Sequence, residues 1–185
     1  VPQLRHRILF IGTRDDEIPL TFPMATHGDP KNGLQPYVTV EQAIGDLPPI
    51  GKDYLRSHRP YKNAPRDPYQ VYCRSGAPTE VSLHVGRPLS PQASRLAAFI
   101  GQGEGLRAVP VKQLPERFTR MRTIQNGELR RDCTTLYHRL SPDRPSYTIT
   151  CNYKNVASGP FLHPVEDRAI SHREAARFMS FPDRY

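Results

Sequence analysis

Tryptophan is absent from these 185 residues, lysine occurs 5 times against 21 arginines, and apolar residues make up only 37% of the chain. That apolar share falls below the roughly 45–50% of ordinary globular chains, so the core is modest, while the length suits a single domain. No run approaches the roughly 18 consecutive apolar residues of a membrane span, and Val1-Pro2-Gln3 carries neither an initiator Met nor a basic-plus-apolar targeting segment. A soluble chain with no membrane partner is expected, and its first residue does not read as a natural beginning. The three cysteines, Cys73, Cys133 and Cys151, include no C-x-x-C pair. A zinc ribbon and a secreted disulfide framework are thereby excluded, and a reducing, cytoplasmic setting is expected. A Gly-rich phosphate loop, a G-x-S-x-G elbow and an H-E-x-x-H pair are missing as well. No metal is expected either: Asp15, Asp16 and Glu17 read as a solvated turn, and His58, His84 and His138 lack a second ligand at metal spacing.

What is abundant is proline, at 20 residues, and arginine. Proline at that density breaks long helices and central strands, which excludes helical bundles and coiled coils. The net charge of +8, carried mostly by arginine, points to nucleic acid, because the planar guanidinium fork matches phosphate and the guanine edge with paired hydrogen bonds. A GC-rich genome favouring Arg codons would produce the same bias, so composition leaves both readings open.

Along the chain, residues 6–12 hold four consecutive apolar residues, Ile8 to Ile11, before Gly12, the mark of a strand buried on both faces in a parallel sheet whose other strands lie elsewhere. Residues 15–143 are rich in Pro, Gly and Arg and read as an irregular module with long loops. Within it, Thr39 and Gln42 predict a capping box opening a helix over 40–47. Ser90 and Pro91 open another, on which Leu96, Phe99 and Ile100 repeat until Gly101. Asn126-Gly127 is a hairpin signal. Beyond it, strict alternation predicts a strand over 147–151, and Ser171 with Glu174 predicts a capped amphipathic helix packing Ala175, Phe178 and Met179. Arg173 and Arg177 share a face of that helix, where they pin neighbouring loops.

Two segments carry more specific information, Val1-Pro2-Gln3-Leu4-Arg5-His6-Arg7 at one end and Arg168-Ala169-Ile170-Ser171-His172-Arg173-Glu174-Ala175-Ala176-Arg177-Phe178-Met179-Ser180-Phe181-Pro182-Asp183 at the other. The first resembles the P-Q-x-R-x-R block, eighth of ten motifs in the DNA (cytosine-5) methyltransferases. The second resembles the R-x-[LI]-[ST]-x-R-E-x-A-R-x-x-x-F-P-D block, the ninth. Residues 37–48, Arg139-Leu140, residues 145–150 and His163-Pro164 add matches in the family's order.

The resemblance implies an α/β fragment: a remnant of a Rossmann-like methyltransferase fold around an irregular β-rich target-recognition domain. It divides the chain into 1–19, the end of the catalytic domain; 20–143, the target-recognition domain; and 144–185, a strand and helix returning to the catalytic or small domain. In the family, a thiolate from a Pro-Cys motif attacks C6 of a flipped cytosine and S-adenosylmethionine methylates C5. By the resemblance Arg7 stabilises charge building on the cytosine O2, with Arg5 and Gln3 bracing the site. The Pro-Cys, Glu-Asn-Val and F-x-G-x-G motifs and the tenth motif do not occur, so the cofactor site is expected outside this segment and the segment alone to be inactive. The expected partners are duplex DNA and the remainder of the methyltransferase polypeptide. Arg120, Arg122, Arg130 and Arg131 cluster before Thr135 and Leu136, a pair resembling the Thr-Leu of many family recognition domains, and these six are the candidate DNA contacts. A stand-alone DNA-binding module and an RNA methylase segment are the competing readings. RNA recognition calls for stacking aromatics, which the Arg-rich, Trp-free middle does not offer.

Overall fold

The computed structural model describes residues 1–12, 14, 21–120, 124–125, 128–129 and 135–185, and only the backbone of 119–120, 124–125 and 128–129. Among these residues it is a mixed α/β arrangement of short helices and three two-stranded sheets. In chain order the elements are β1 (Gln3–Leu4), α1 (Val40–Ile44), β2 (Arg59–Pro60), α2 (Pro68–Arg74), β3 (Glu80–Val81), α3 (Pro91–Ala97), α4 (Glu116–Arg120), β4 (Ile124–Gln125), β5 (Glu128–Leu129), β6 (Ser146–Tyr147) and α5 (His172–Phe178). β1 pairs with β6 in parallel, Gln3 opposite Ser146, whereas β2–β3 and β4–β5 are antiparallel. Asn126 and Gly127 lie outside the described residues.

Helix starts follow the local signals. Thr39 Oγ1 accepts from Gln42 N–H while Gln42 Oε1 accepts from Thr39 N–H, closing the capping box that opens α1. Ser171 and Glu174 do the same for α5, and Ser90 with Pro91 starts α3. Each cap satisfies amide groups that a helix leaves orphaned, a stabilisation of about 1 kcal/mol. Two helices have no counterpart among the sequence expectations: α4, and α2, which is opened by Asp67 accepting from Tyr69 N–H with Pro68 in the first turn.

Two apolar clusters form the core of the described residues. The first joins α3 to Leu106, Val109, Leu114, Phe118, Tyr137, Val156 and Leu162. The second joins α1, Leu47 and Val81 to Leu140, Ile149, Phe161, Ile170, Ala175 and Phe178, so that α1 and α5 share one core although they lie near opposite ends of the chain. Fully burying a side chain such as Phe178 contributes about 1.5–3 kcal/mol.

Four expectations need correction. Residues 8–11 are neither a strand nor buried: Ile8, Leu9, Phe10 and Ile11 are 83%, 70%, 94% and 50% exposed, because the β1–β6 ladder ends at Leu4 and no described residue covers them. The strand expected over 147–151 is limited to Ser146–Tyr147, since side chains replace the ladder beyond it: Thr148 Oγ1 donates to the Leu4 carbonyl and Ile149 N–H donates to Gln3 Oε1. α1 ends at Ile44 rather than 47, where a turn closes with Leu47 N–H on the Ile44 carbonyl. Finally, Phe99 and Met179 are 44% and 41% exposed, so the apolar stripes of α3 and α5 are narrower than their periodicity suggests.

Candidate nucleic-acid interface and its buried arginine frame

β1 positions the first candidate residues. Gln3 uses both ends of its amide: Nε2 donates to the Phe178 carbonyl of α5 at 3.1 Å, and Oε1 accepts from Ile149 N–H at 3.2 Å. Ser146 N–H donates to the Pro2 carbonyl, so the start of the chain is fixed against both β6 and the end of α5. Past this anchor the chain runs outward. Arg5 and Arg7 are exposed, and the guanidinium of Arg7 donates to the carbonyl of its neighbour His6 at 2.7 Å. The structure thus connects Gln3 with the α5 segment and leaves Arg5 and Arg7 with no acidic partner among the described residues.

The conspicuous charge of the α5 segment is internal. Arg168, Arg173 and Arg177 are 1%, 1% and 0% exposed. Arg177 donates to Asp46 Oδ1 at 2.5 Å, to Asp183 Oδ2 at 2.6 Å and to the Ala43 carbonyl at 2.9 Å, so one guanidinium ties α5 to α1 and to the segment beyond α5. Arg74 reaches the same Asp46 from α2 at 2.6 Å, and Tyr61 Oη donates to Asp183 at 2.8 Å. Arg173 holds the carbonyls of Ser82 and Tyr185. This is the loop-pinning role expected of Arg173 and Arg177. The carboxylates that complete it, Asp46 and Asp183, had no sequence signal beyond lying next to Leu47 and Pro182 in the motif blocks.

Arg168 forms a fork with Glu174, at 2.8 and 2.7 Å, and also binds Glu166. Burial alone would raise the Glu174 pKa, but the adjacent Arg168 guanidinium outweighs it and holds the carboxyl well below the usual range. His163 completes the cluster. Its Nδ1 accepts from Val165 N–H at 3.1 Å and Glu166 N–H at 2.9 Å, which requires an unprotonated nitrogen there and leaves Nε2 3.5 Å from Glu174. Burial pushes the imidazole down to about 4 against the opposing pull of Glu174. His84 is buried too, between the Pro48 carbonyl, which must accept from Nε2, and the Ser171 hydroxyl on Nδ1, and burial lowers its pKa.

Of the six candidate DNA contacts, Arg122, Arg130 and Arg131 lie outside the described residues, as do Asp15, Asp16, Glu17 and Cys133, and Arg120 closes α4. Thr135 is exposed and Leu136 packs against the first core cluster. Tyr137 follows in the left-handed region at φ 54°, buried, its N–H on the Val156 carbonyl and its hydroxyl accepting from Arg117 at 2.7 Å. A non-glycine residue held at that φ costs about 1–3 kcal/mol and persists where surrounding contacts over-determine it.

A separate cleft of about 740 Å³ is lined by the 52–55 and 85–88 segments together with Lys154, Ala169, Ile170 and His172. No helix among the described residues is long and apolar enough to cross a membrane.

Motifs at opposite ends of the chain meeting through Gln3, over a buried arginine frame, define a class that sequence comparison identifies. The family model of C-5 cytosine-specific DNA methylases matches residues 1–185, and the chain belongs to that family. It is 31% identical over 186 residues to the type II methyltransferase M.DdeI of Desulfomicrobium norvegicum, covering 100% of this chain and 42% of that protein. To the type II methyltransferase M.NgoFVII of Neisseria gonorrhoeae it is 28% identical over 187 residues, covering 100% and 38%. A solved E. coli structure described as a prophage-encoded DNA modification methyltransferase aligns with TM-score 0.49 and 20% identity, over 81% of this chain and 38% of that one. The chain spans about two-fifths of the length of these curated relatives.

Proposed function

We propose that this chain is the target-recognition and C-terminal segment of an S-adenosylmethionine-dependent DNA (cytosine-5) methyltransferase, binding duplex DNA and helping to hold a flipped cytosine in the cytoplasm of a bacterium. In this reading residues 1–19 end a Rossmann-like catalytic domain, 20–143 form the target-recognition domain, and 144–185 return to the catalytic or small domain. The observation that carries it is the Gln3 bridge: one amide joins the P-Q-x-R-x-R block to the backbone of the R-E-x-A-R block, 175 residues away in sequence. The exposed run 8–11 supports it as well, since four consecutive uncovered apolar side chains suit an inner strand whose sheet is completed by the remainder of the polypeptide.

S-adenosylmethionine brings a sulfonium cation and ribose hydroxyls, which call for acidic acceptors. The 740 Å³ cleft sets Lys52, Arg87 and Lys154 against Asp53 alone, so this cleft does not fit the cofactor; in this reading the cofactor site is in the remainder of the polypeptide. What this chain contributes is electrostatic. Addition of a thiolate at C6 loads negative charge onto the cytosine ring and O2, and the exposed guanidinium of Arg7, which has no acidic partner among the described residues and follows the Gln3 anchor in the chain, donates to that oxygen as the charge builds. Arg5 braces the same segment.

In the complete enzyme Arg7→Ala lowers the methyl-transfer rate by roughly 10²–10³-fold, the weight of one oxyanion-type donor, with duplex affinity little changed. Arg7→Lys does not restore the rate, because an ammonium cannot reproduce the fork. Methylation at the normal rate by either variant defeats the assignment. The chain itself binds duplex DNA with an affinity that falls as salt rises, and salt-insensitive binding defeats the recognition reading.

A further inference from the structure

The cleft lined by the 52–55 and 85–88 segments combines two chemistries that seldom meet by accident. Its walls are apolar, with Val85, Pro88 and Ile170, and include the ring of Tyr54. Its volume of about 740 Å³ falls within the roughly 300–1,000 Å³ of small-molecule sites. At its rim stand three exposed cations, Lys52, Arg87 and Lys154, none of which makes a hydrogen bond or ion pair with any described residue. Asp53 is the single acid there among the described residues, so the rim carries a net positive charge with no internal anion to balance it. Elsewhere in the fold most buried guanidinium groups are answered by a carboxylate, and this rim is left for an anion from outside.

The walls are suited to a planar ring. Gly86 N–H donates to the Tyr54 carbonyl at 3.1 Å, and a Cβ at Gly86 would lie 3.1 Å from Tyr54 Cδ1 and 3.2 Å from Ile50 Cγ2. Glycine at this position lets the Tyr54 ring close on the backbone and so sets the wall. The His172 ring, which also lines the cleft, is braced edge-on by Tyr153, with centroids 5.8 Å apart at 90°. Burial and the neighbouring Lys154 lower the His172 pKa, so its ring is neutral at physiological pH and offers one donor and one acceptor to a base edge. Asp53 accepts from an amino or hydroxyl group. Aromatic walls for a base and converging cations for a phosphate are the features by which proteins hold unpaired nucleotides.

We propose that this cleft is a binding site for one nucleoside monophosphate unit, the base between Tyr54 and His172 and the phosphate on Lys52, Arg87 and Lys154. None of these residues is among the expected DNA contacts or the Arg7 site, so the proposal stands apart from the recognition reading. The unit arrives either as a free nucleotide or as a nucleotide within a DNA strand.

Titration of the chain with dAMP, deoxyadenosine and inorganic phosphate, followed by NMR or calorimetry, tests it, with a duplex oligonucleotide titrated in parallel. Saturable dAMP binding is expected, tighter than either deoxyadenosine or phosphate alone. Arg87→Ala and Lys154→Ala should each weaken it by about five- to tenfold, the weight of one hydrogen bond, with the melting temperature unchanged because both side chains are exposed. Tyr54→Ala should weaken dAMP and leave phosphate alone unaffected. If the variants also weaken duplex binding, the nucleotide is strand-borne; if duplex binding is untouched, the site takes free nucleotides. Failure of dAMP to saturate, equal affinity for dAMP and phosphate, or undiminished dAMP binding by the Arg87→Ala, Lys154→Ala double variant overturns the proposal. A chain that binds dAMP but no duplex keeps this site and removes the recognition reading.

Discussion

Acidification from pH 7 to pH 5 should destabilise this protein through its buried histidines before its carboxylates respond. His163 accepts two backbone N–H groups at Nδ1, so protonation must break both bonds and place a charge beside Arg168 in a buried cluster. Its pKa drops from about 6.5 in the unfolded chain to about 4 in the fold. The unfolded state therefore binds the extra proton in that interval, and stability falls as pH falls. The contribution is complete above about pH 6.5, and linkage with these two values removes about 2 kcal/mol by pH 5 and about 3 kcal/mol by pH 4. His84 and His172, both lowered chiefly by burial, act in the same direction. Glu174, held below its ordinary value, adds its loss only once the pH passes below about 4.5, so the window between pH 7 and 5 reports the histidines. For a chain of this size about 2 kcal/mol corresponds to a fall of roughly 4–8 °C in melting temperature, measured by differential scanning calorimetry across that window. His163→Asn is the decisive variant. Its Oδ1 can accept the same N–H groups without titrating, and the pH slope should flatten to the part due to His84 and His172. A melting temperature independent of pH between 7 and 5, or an undiminished slope in His163→Asn, refutes the reasoning.

Arg177→Met keeps the aliphatic stem but strips Asp46 and Asp183 of a shared cation; because Arg74 and Tyr61 still hold them, the loss should sit near the low end of the range for broken buried pairs, about 3 kcal/mol. Urea unfolding should show the midpoint fall with the slope unchanged, and an unshifted midpoint contradicts the frame. Alkylation at pH 8 followed by peptide mapping should label exposed Cys151 quickly and spare Cys73, which is buried with its thiol pushed up to about 11. Equal labelling of the two would mean that the α2 face opens. Arg130→Ala with Arg131→Ala should weaken binding to all duplex sequences alike and make the salt dependence shallower, by a slope of about 0.9 for each phosphate no longer neutralised. Weakening confined to one base position would instead mark base readout.

The parts of the fold legible in the sequence are those decided within a few residues. Thr39 with Gln42, Ser90 with Pro91, and Ser171 with Glu174 are local contracts between a hydroxyl and amides three positions on, and each opens the helix it announces. α2 carried the same kind of signal in Asp67-Pro68, but its buried side chains, Gln70 and Cys73, form no apolar stripe to draw attention to it. Residues 8–11 failed as a burial expectation for the opposite reason: the run is strongly apolar, yet burial requires a distant partner that the local pattern does not contain. Of the candidate site, the motif blocks identified Gln3, Arg173 and Arg177 as positions of interest. That Gln3 spends its amide on Ile149 and Phe178, and that Arg177 meets Asp46 across 131 residues, are tertiary facts with no local trace.

Among the described residues Arg59, Arg139, Arg168, Arg173 and Arg177 are each less than 8% exposed, so arginine fills a share of the interior of a chain poor in hydrocarbon. Part of the compositional bias that suggests nucleic acid is therefore architecture. It also bears on thermal behaviour. Exposing apolar surface raises the heat capacity of the unfolded chain by about 0.45 cal/K/mol per Å², whereas exposing polar surface lowers it by about 0.26. An interior assembled around guanidinium and carboxylate groups therefore unfolds with a smaller heat-capacity increment than a hydrocarbon core of equal area. Its stability curve is correspondingly shallow, changing less between cold and warm than that of a chain held together by leucine and isoleucine.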